Sequence, residues 1–221
     1  MEFTSTLNIA VPTHLDNVII NCTINNSSAN PCIKATADLV LTNVVMFGNR
    51  RLDYSSSPCI EVSNANMTLD GVAIDGCGKG MWDKGTIEFL DGGFFHMDNS
   101  YITDGYGFYG GIRVGRSQSV FVNNSVFLDN ASSMNAPCIY AHAIDDFTVV
   151  NTLFQNNTGD ISYSYGAQIQ LDRVAQAEIE YCTFLNNVAD NVTVLCGGGM
   201  CDSSIFTNNN VGPETMHVLN F

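Results

Sequence analysis

The chain has 221 residues, of which 45% are hydrophobic and 10% aromatic, a composition that excludes a disordered segment and suits one domain. Eight Lys and Arg stand against 22 Asp and Glu, leaving a net charge of −14, so a phosphate-tracking surface would have to be built against the protein's own field and nucleic acid is a poor fit as a partner. No apolar run approaches the roughly 18 residues of a membrane-spanning helix, and no basic-then-apolar start marks a signal peptide. The opening Met1-Glu2-Phe3 and the abrupt end at Phe221 read as a fragment or processed form.

Residues 1–16 show no repeat and are expected to form an N-terminal cap or to include a tag. From residue 17 onward, short alternating segments recur: Leu39-Val40-Leu41, Phe95-His96-Met97, Val120-Phe121-Val122, Phe147-Thr148-Val149 and Ala177-Glu178-Ile179. They are predicted strands. After each comes a polar or small residue and then a large apolar one, giving the file Met46, Ile74, Ile102, Phe127, Phe154, Phe184 and Phe206. Farther upstream a second file, Ile33, Ile60, Ile87, Ile112, Ile139 and Ile169, repeats at 27, 27, 25, 27 and 30 residues. The last four members of the first file open near-identical words, FLDN, FQNN, FLNN and FTNN, at residues 127–130, 154–157, 184–187 and 206–209.

A period near 27 with two or three short strands, no helical stretch and Gly/Asn corners predicts an all-β parallel β-helix solenoid of about seven to eight coils over residues 17–210, with 211–221 a tail. Coils stack at about 4.8 Å, so equivalent residues form ladders. The phenylalanines should make an internal aromatic column. Asn130, Asn157, Asn187 and Asn209 should occupy a corner that tolerates left-handed φ, hydrogen-bonding coil to coil, with Gly105 at the same corner one coil earlier. Asn130 also begins a sequon, and a buried ladder residue cannot carry a glycan.

The FxxN words paired with Gly110-Gly111-Ile112 resemble the repeats of polymorphic outer-membrane and autotransporter-passenger proteins, right-handed β-helices of the pectin-lyase-like superfamily, from about Asn17 to Asn209. The resemblance implies a right-handed coil and leaves function open, because that fold hosts adhesins, polysaccharide lyases, glycoside hydrolases and phage spikes. Where Gly-Gly is expected, three coils have Pro-Cys instead, at Pro31-Cys32, Pro58-Cys59 and Pro137-Cys138. Cys32 and Cys59 hold one position on adjacent coils, within disulfide reach, and are expected to pair. Cys196 and Cys201 bracket Gly-Gly-Gly-Met and are expected to close a small loop, while Cys22, Cys77, Cys138 and Cys182 stay unassigned. The even count of eight cysteines and sequons at Asn21, Asn25, Asn26, Asn66, Asn123, Asn130, Asn156 and Asn191 point to secretion.

Alternation places Lys34, Glu61, Glu88, Arg113, Tyr140 and Gln170 outside one sheet. In β-helix lyases such a face holds substrate, so the resemblance makes Arg113 a candidate base and Glu88 and Glu61 candidate Ca²⁺ ligands; the plain alternative is a cross-strand charge ladder. Asp104 and Asp129 share a corner and either attract a cation, Ca²⁺ being the one cofactor weighed, or sit in solvent. His142 to Asp146 gathers a histidine with Asp145 and Asp146, without the GHG or RIK words of pectin-hydrolysing relatives. The loops after the Asn corner carry Tyr54, Trp82, Tyr106, Phe108, Tyr109, Tyr163 and Tyr165, an aromatic strip that suits sugar stacking or a protein interface, or else covers a satellite core. These features read as a secreted or cell-surface, non-catalytic module for adhesion, glycan or protein recognition, or structural assembly, with a lyase or glycoside hydrolase as the alternative. An uncovered solenoid end or side also invites end-to-end or lateral self-association.

Overall fold

The computed structural model describes residues 1–23, 30–48, 58–77, 84–159, 167–188, 194–197, 205–207, 209–211 and 218–220. Every regular element among them is a strand, and every strand pairing is parallel. Sheet I orders nine strands, from Glu2–Phe3 at one end through Ile19–Cys22, Val45–Phe47, Ala73–Asp75, Tyr101–Thr103, Val126–Leu128, Leu153–Gln155 and Thr183–Leu185 to Asn210–Val211. Sheet II carries two ranks of strands. They are separate in the early coils, as in Ile33–Ala35 and Leu39–Thr42, and fuse into Ile112–Asn123, Ile139–Val150 and Ile169–Glu180. A short third sheet joins Tyr106–Gly107, Ala131–Ser132 and Thr158–Gly159.

Both predicted files stand in register. Leu7, Ile33, Ile60, Ile87, Ile112, Ile139 and Ile169 stack along sheet II over six turns, and Val194 and Val218 continue the register. Residues 7–16 therefore already form coil, ahead of the expected boundary at 17, and paired strands reach Val218–Asn220, past the expected end at 210. Met46, Ile74, Ile102, Phe127, Phe154 and Phe184 stack inside sheet I. The rings of Phe127, Phe154 and Phe184 lie nearly parallel, with centroids 5.1 and 4.7 Å apart.

The fourth word of the repeat breaks the pattern. Phe206 pairs with Ile179 in sheet II, and Val211 takes the register position beside Phe184. Only 22 residues separate Phe184 from Phe206, too few to complete a coil, so the FTNN word falls one strand early. Asn209 accordingly sits at the corner between the sheets, accepting from the Cys182 N–H at 2.9 Å and donating to the Ile179 carbonyl at 2.9 Å.

The other three asparagines form the expected buried ladder. Each side-chain oxygen accepts a backbone N–H of the preceding coil, at Gly105, Asn130 and Asn157, all at 2.9 Å. Each side-chain amide donates to a carbonyl, of Ile102, Phe127 and Phe154, at 2.9 Å. The left-handed residue is the one before the asparagine: Asp104, Asp129, Asn156 and Asn186 have φ of 54 to 56°. Gly105 is not itself left-handed; a Cβ there would lie 2.3 Å from Thr86 Oγ1, so the neighbouring threonine leaves no room for a side chain. Two further left-handed columns turn the other corners, one with Asn43, Asn99, Asn124 and Asn151, the other with Asp91, Arg116, Ala143 and Arg173.

The disulfides differ from the expected pairing. Cys32 bonds Cys22 and Cys59 bonds Cys77, with Cα separations of 5.9 and 5.6 Å. Cys32 and Cys59 do stack on adjacent coils, yet both side chains point inward, and each meets the cysteine across the coil instead of the one beside it. Cys196 is oxidised, while Cys201 lies outside the described residues. Cys138 and Cys182 are free and buried.

Candidate functional site

The outward residues of the first rank of sheet II form the file expected from alternation, in the order Lys34, Glu61, Glu88, Arg113, Tyr140 and Gln170. The polar groups lock onto one another. Glu61 receives Lys34 Nζ at 2.8 Å and Lys84 Nζ at 3.1 Å. Burial pushes the Glu61 carboxyl up, but the two lysines outweigh it and hold it below its ordinary value.

Glu88 is the unusual member. It points outward from its strand, yet it is 0% exposed. The Gly85 N–H donates to Oε1 at 2.6 Å and Arg113 Nη1 to Oε2 at 3.2 Å. Burial dominates, and against the pull of Arg113, Gly85 and Lys84 the carboxyl is raised from 4.5 to about 7. Tyr109, just after the strand Tyr106–Gly107, packs against the two partners of Glu88, Arg113 and Gly85. Tyr109 lies 4.8 Å above the Arg113 guanidinium and is only 7% exposed. Gly85 allows this approach, because a Cβ there would stand 2.6 Å from the Tyr109 carbonyl.

Tyr109 also touches Phe108, at 4.9 Å between ring centroids, and Tyr140, at 4.5 Å. Tyr140 stacks on His142 at 6.4 Å, and His142 Nδ1 binds Asp172 Oδ2 at 2.6 Å. The result is a shelf of Phe108, Tyr109, Tyr140 and His142 beside a closed set of ion pairs. Lys84, Tyr109 and Asp172 were not singled out as contributors to this face by sequence. Lys84 and Tyr109 both stand three residues before a file isoleucine, and that shared offset is the signal that places them at one corner.

The remaining candidates disperse. Tyr109 is turned inward as cover, against the expectation of a solvent-facing ligand, because Arg113 and Tyr140 offer it a cation and a ring. Tyr106 is exposed and Phe108 half-buried, while Tyr54, Trp82, Tyr163 and Tyr165 lie outside the described residues. Asp145 is exposed, and the histidine beside it takes its carboxylate from Asp172 on the next coil, so the expected cluster of His142 with Asp145 does not form. Asp104 and Asp129 occupy adjacent left-handed corner positions, and no group of three potential metal ligands gathers among the described residues. Of the sequons, Asn21 and Asn156 are exposed and Asn130 is sealed in the ladder. Asn66 and Asn123 use their amides to bind Asp38 and Asp98, and Asn25, Asn26 and Asn191 lie outside the described residues.

A family model described as the right handed beta helix region matches residues 42–217. The chain belongs to the right-handed β-helix family. The match covers most of the coils just described, in which stacked strands hold Glu88, Arg113 and Tyr140 at neighbouring rungs. No curated protein matches the chain.

Proposed function

We propose that this β-helix is a secreted or cell-surface recognition module that binds a glycan or a protein on the half-buried rings of Phe108 and Tyr140, held from behind by the buried Tyr109, without performing chemistry on its ligand. The observation that carries the reading is the sealing of Glu88. The carboxyl best suited to acid or base work is closed off by Tyr109 and engaged by Arg113 and Gly85, while Glu61 is held between two lysines. Aromatic rings on a rigid sheet suit stacking against sugar faces or anchoring an interface. Two disulfides agree with an extracellular setting, as does the resemblance to passenger-type repeats. Exposed Asn21 and Asn156 would be the accessible glycan acceptors there.

One observation favours a second reading. A carboxyl raised to about 7 is poised as a general acid, and with Tyr109 displaced the same face would serve a lyase or glycoside hydrolase. A polysaccharide array with and without Ca²⁺, read for binding and for released sugar, separates the two. Binding without product, lost in Phe108→Ala and Tyr140→Ala, supports recognition. Product lost in Arg113→Ala establishes the enzyme and sinks the module.

A further inference from the structure

The residue before each file isoleucine of sheet II forms a column of its own, Cys32, Cys59, Thr86, Gly111, Cys138 and Gln168, and every member is buried. The first four settle their polar groups. Cys32 and Cys59 reach across the coil to Cys22 and Cys77, Thr86 donates its hydroxyl to the Gly110 carbonyl at 3.0 Å, and Gly111 has no side chain. Cys138 repeats the Pro-Cys pattern without the partner. The N–H groups of Tyr106, Ala131 and Thr158 donate in turn to the carbonyls of Cys77, Gly105 and Asn130, so the column that begins with Cys77 continues as Gly105 and Asn130. Asn130 and Asn157 there are committed to the ladder, and no cysteine stands across the coil from Cys138.

Cys138 turns instead to the next coil. Ile139 pairs with Ile169, which brings Gln168 beside it, and Cys138 Sγ donates to Gln168 Oε1 at 3.4 Å. Cys138 is 0% exposed and Gln168 1%. The amide nitrogen is the anomaly, because among the described residues Gln168 Nε2 has no hydrogen-bond partner. A buried amide left unpaired is destabilising where a small apolar side chain would fill the place at no such cost. A thiol is thus held against a carboxamide whose nitrogen is engaged by nothing.

We propose that Cys138 and Gln168 condense to an internal thioester that ties two coils together. Sγ attacks Gln168 Cδ, and the thiol proton passes to Oε1, toward which it already points. The proton moves on to Nε2, the Cδ–Nε2 bond breaks and ammonia leaves, so that a thiol and an amide become a thioester and ammonia with nothing oxidised or reduced. Burial keeps the Cys138 thiol protonated, and the proton the leaving amine needs therefore travels with the nucleophile. Stacking on adjacent strands supplies the proximity, and ammonia escaping into water is protonated there, which draws the exchange forward. Buried Ala136, Pro137 and Ala167 keep solvent from the acyl group, which stays latent inside the coil and is open to a primary amine once the coils part. The inference does not rest on the shelf of Phe108 and Tyr140.

Intact mass of the disulfide-bonded protein, unfolded in acid so that a thioester survives, tests it. The wild type is expected to weigh one ammonia less than its sequence with its disulfides, and Cys138→Ala and Gln168→Ala are each expected to show the full mass of their own sequences. Peptide mapping is expected to join the segments that hold Cys138 and Gln168. Unfolding at pH 8 in methylamine is expected to place a methylamide on Gln168 and to free the Cys138 thiol in equal amount. A wild type at full mass overturns the proposal, since the pair is then only a thiol hydrogen-bonded to an amide. So does an ammonia deficit that persists in Gln168→Ala, which places the loss elsewhere in the chain. The wild-type mass and map decide even where a variant does not fold.

Discussion

Replacing Glu88 by Gln tests a buried carboxyl that sits well above its ordinary range. The carboxyl titrates near 4.5 when the chain is unfolded and near 7 when folded, so between these values the folded state holds a proton that the unfolded state has released. Its contribution to stability is therefore fully present below 4.5 and is lost as pH rises through 7. Integrating that difference from pH 8 down to pH 5 gives about 2.5 kcal/mol. Glutamine keeps the volume and the oxygen for either Gly85 or Arg113, but it cannot titrate. The wild type is thus expected to gain about 2.5 kcal/mol on Glu88→Gln between pH 8 and pH 5, or about 5 to 10 °C in melting temperature for a chain of this size. Glu61 and Asp91, both lowered, act in the opposite sense at lower pH, and they are common to both proteins. Urea unfolding of the pair at half-unit pH steps measures the difference. Parallel curves across that range would refute the reasoning, because they would mean that Glu88 is ionised in the fold as it is in water.

Asn157→Leu removes the acceptor of the Asn130 N–H and the donor to the Phe127 carbonyl, both inside the coil, and is expected to cost about 3 kcal/mol by urea denaturation. Ala143 stands at φ 55° without a polar side chain to compensate, so Ala143→Gly should raise stability by about 1 kcal/mol, seen as a higher melting temperature. Breaking the Cys22–Cys32 or the Cys59–Cys77 bond, which close 10 and 18 residues, should each cost about 3 kcal/mol, measured with single Cys→Ser pairs under non-reducing conditions. Burial raises the Cys138 thiol well above its ordinary value and pushes Cys182 up to about 11, against a backbone hydrogen bond from Thr152. Neither should react with a thiol reagent at pH 8 until the protein unfolds.

The coil could be read because each turn repeats the same inward side chain at the same offset. Isoleucine at 33, 60, 87, 112, 139 and 169 has no reason to recur except stacking, and it stacks. Words are less safe than offsets. FTNN repeats the letters of FLNN, but the short stretch before it shifts Phe206 to another strand, since register answers to the length of chain between corners and not to local spelling. Position along the axis likewise brought Cys32 beside Cys59, whereas bonding depends on where the two Sγ atoms point. The candidate site was legible as a file of alternating residues and illegible as a site. Nothing in the letters of Glu88 shows that a loop from the next coil closes over it with Tyr109, because that contact rests on the bare backbone of Gly85.

The same distinction explains sheet I. A half-solvated strand alternates apolar with polar, but Val126-Phe127-Leu128 and Ile19-Ile20 are apolar without a break. Continuous apolar runs belong to strands covered on both faces, and here the inner cover includes the phenylalanine column, while on the outer face Ile19 and Tyr101 remain more than half exposed. The second rank of sheet II mixes both kinds on its outward side, with Asp16, Asp70, Asp98, Glu178 and Glu180 beside Val40, Phe121 and Val150, because a rank that encloses the core on one side leaves the composition of its other side to the solvent.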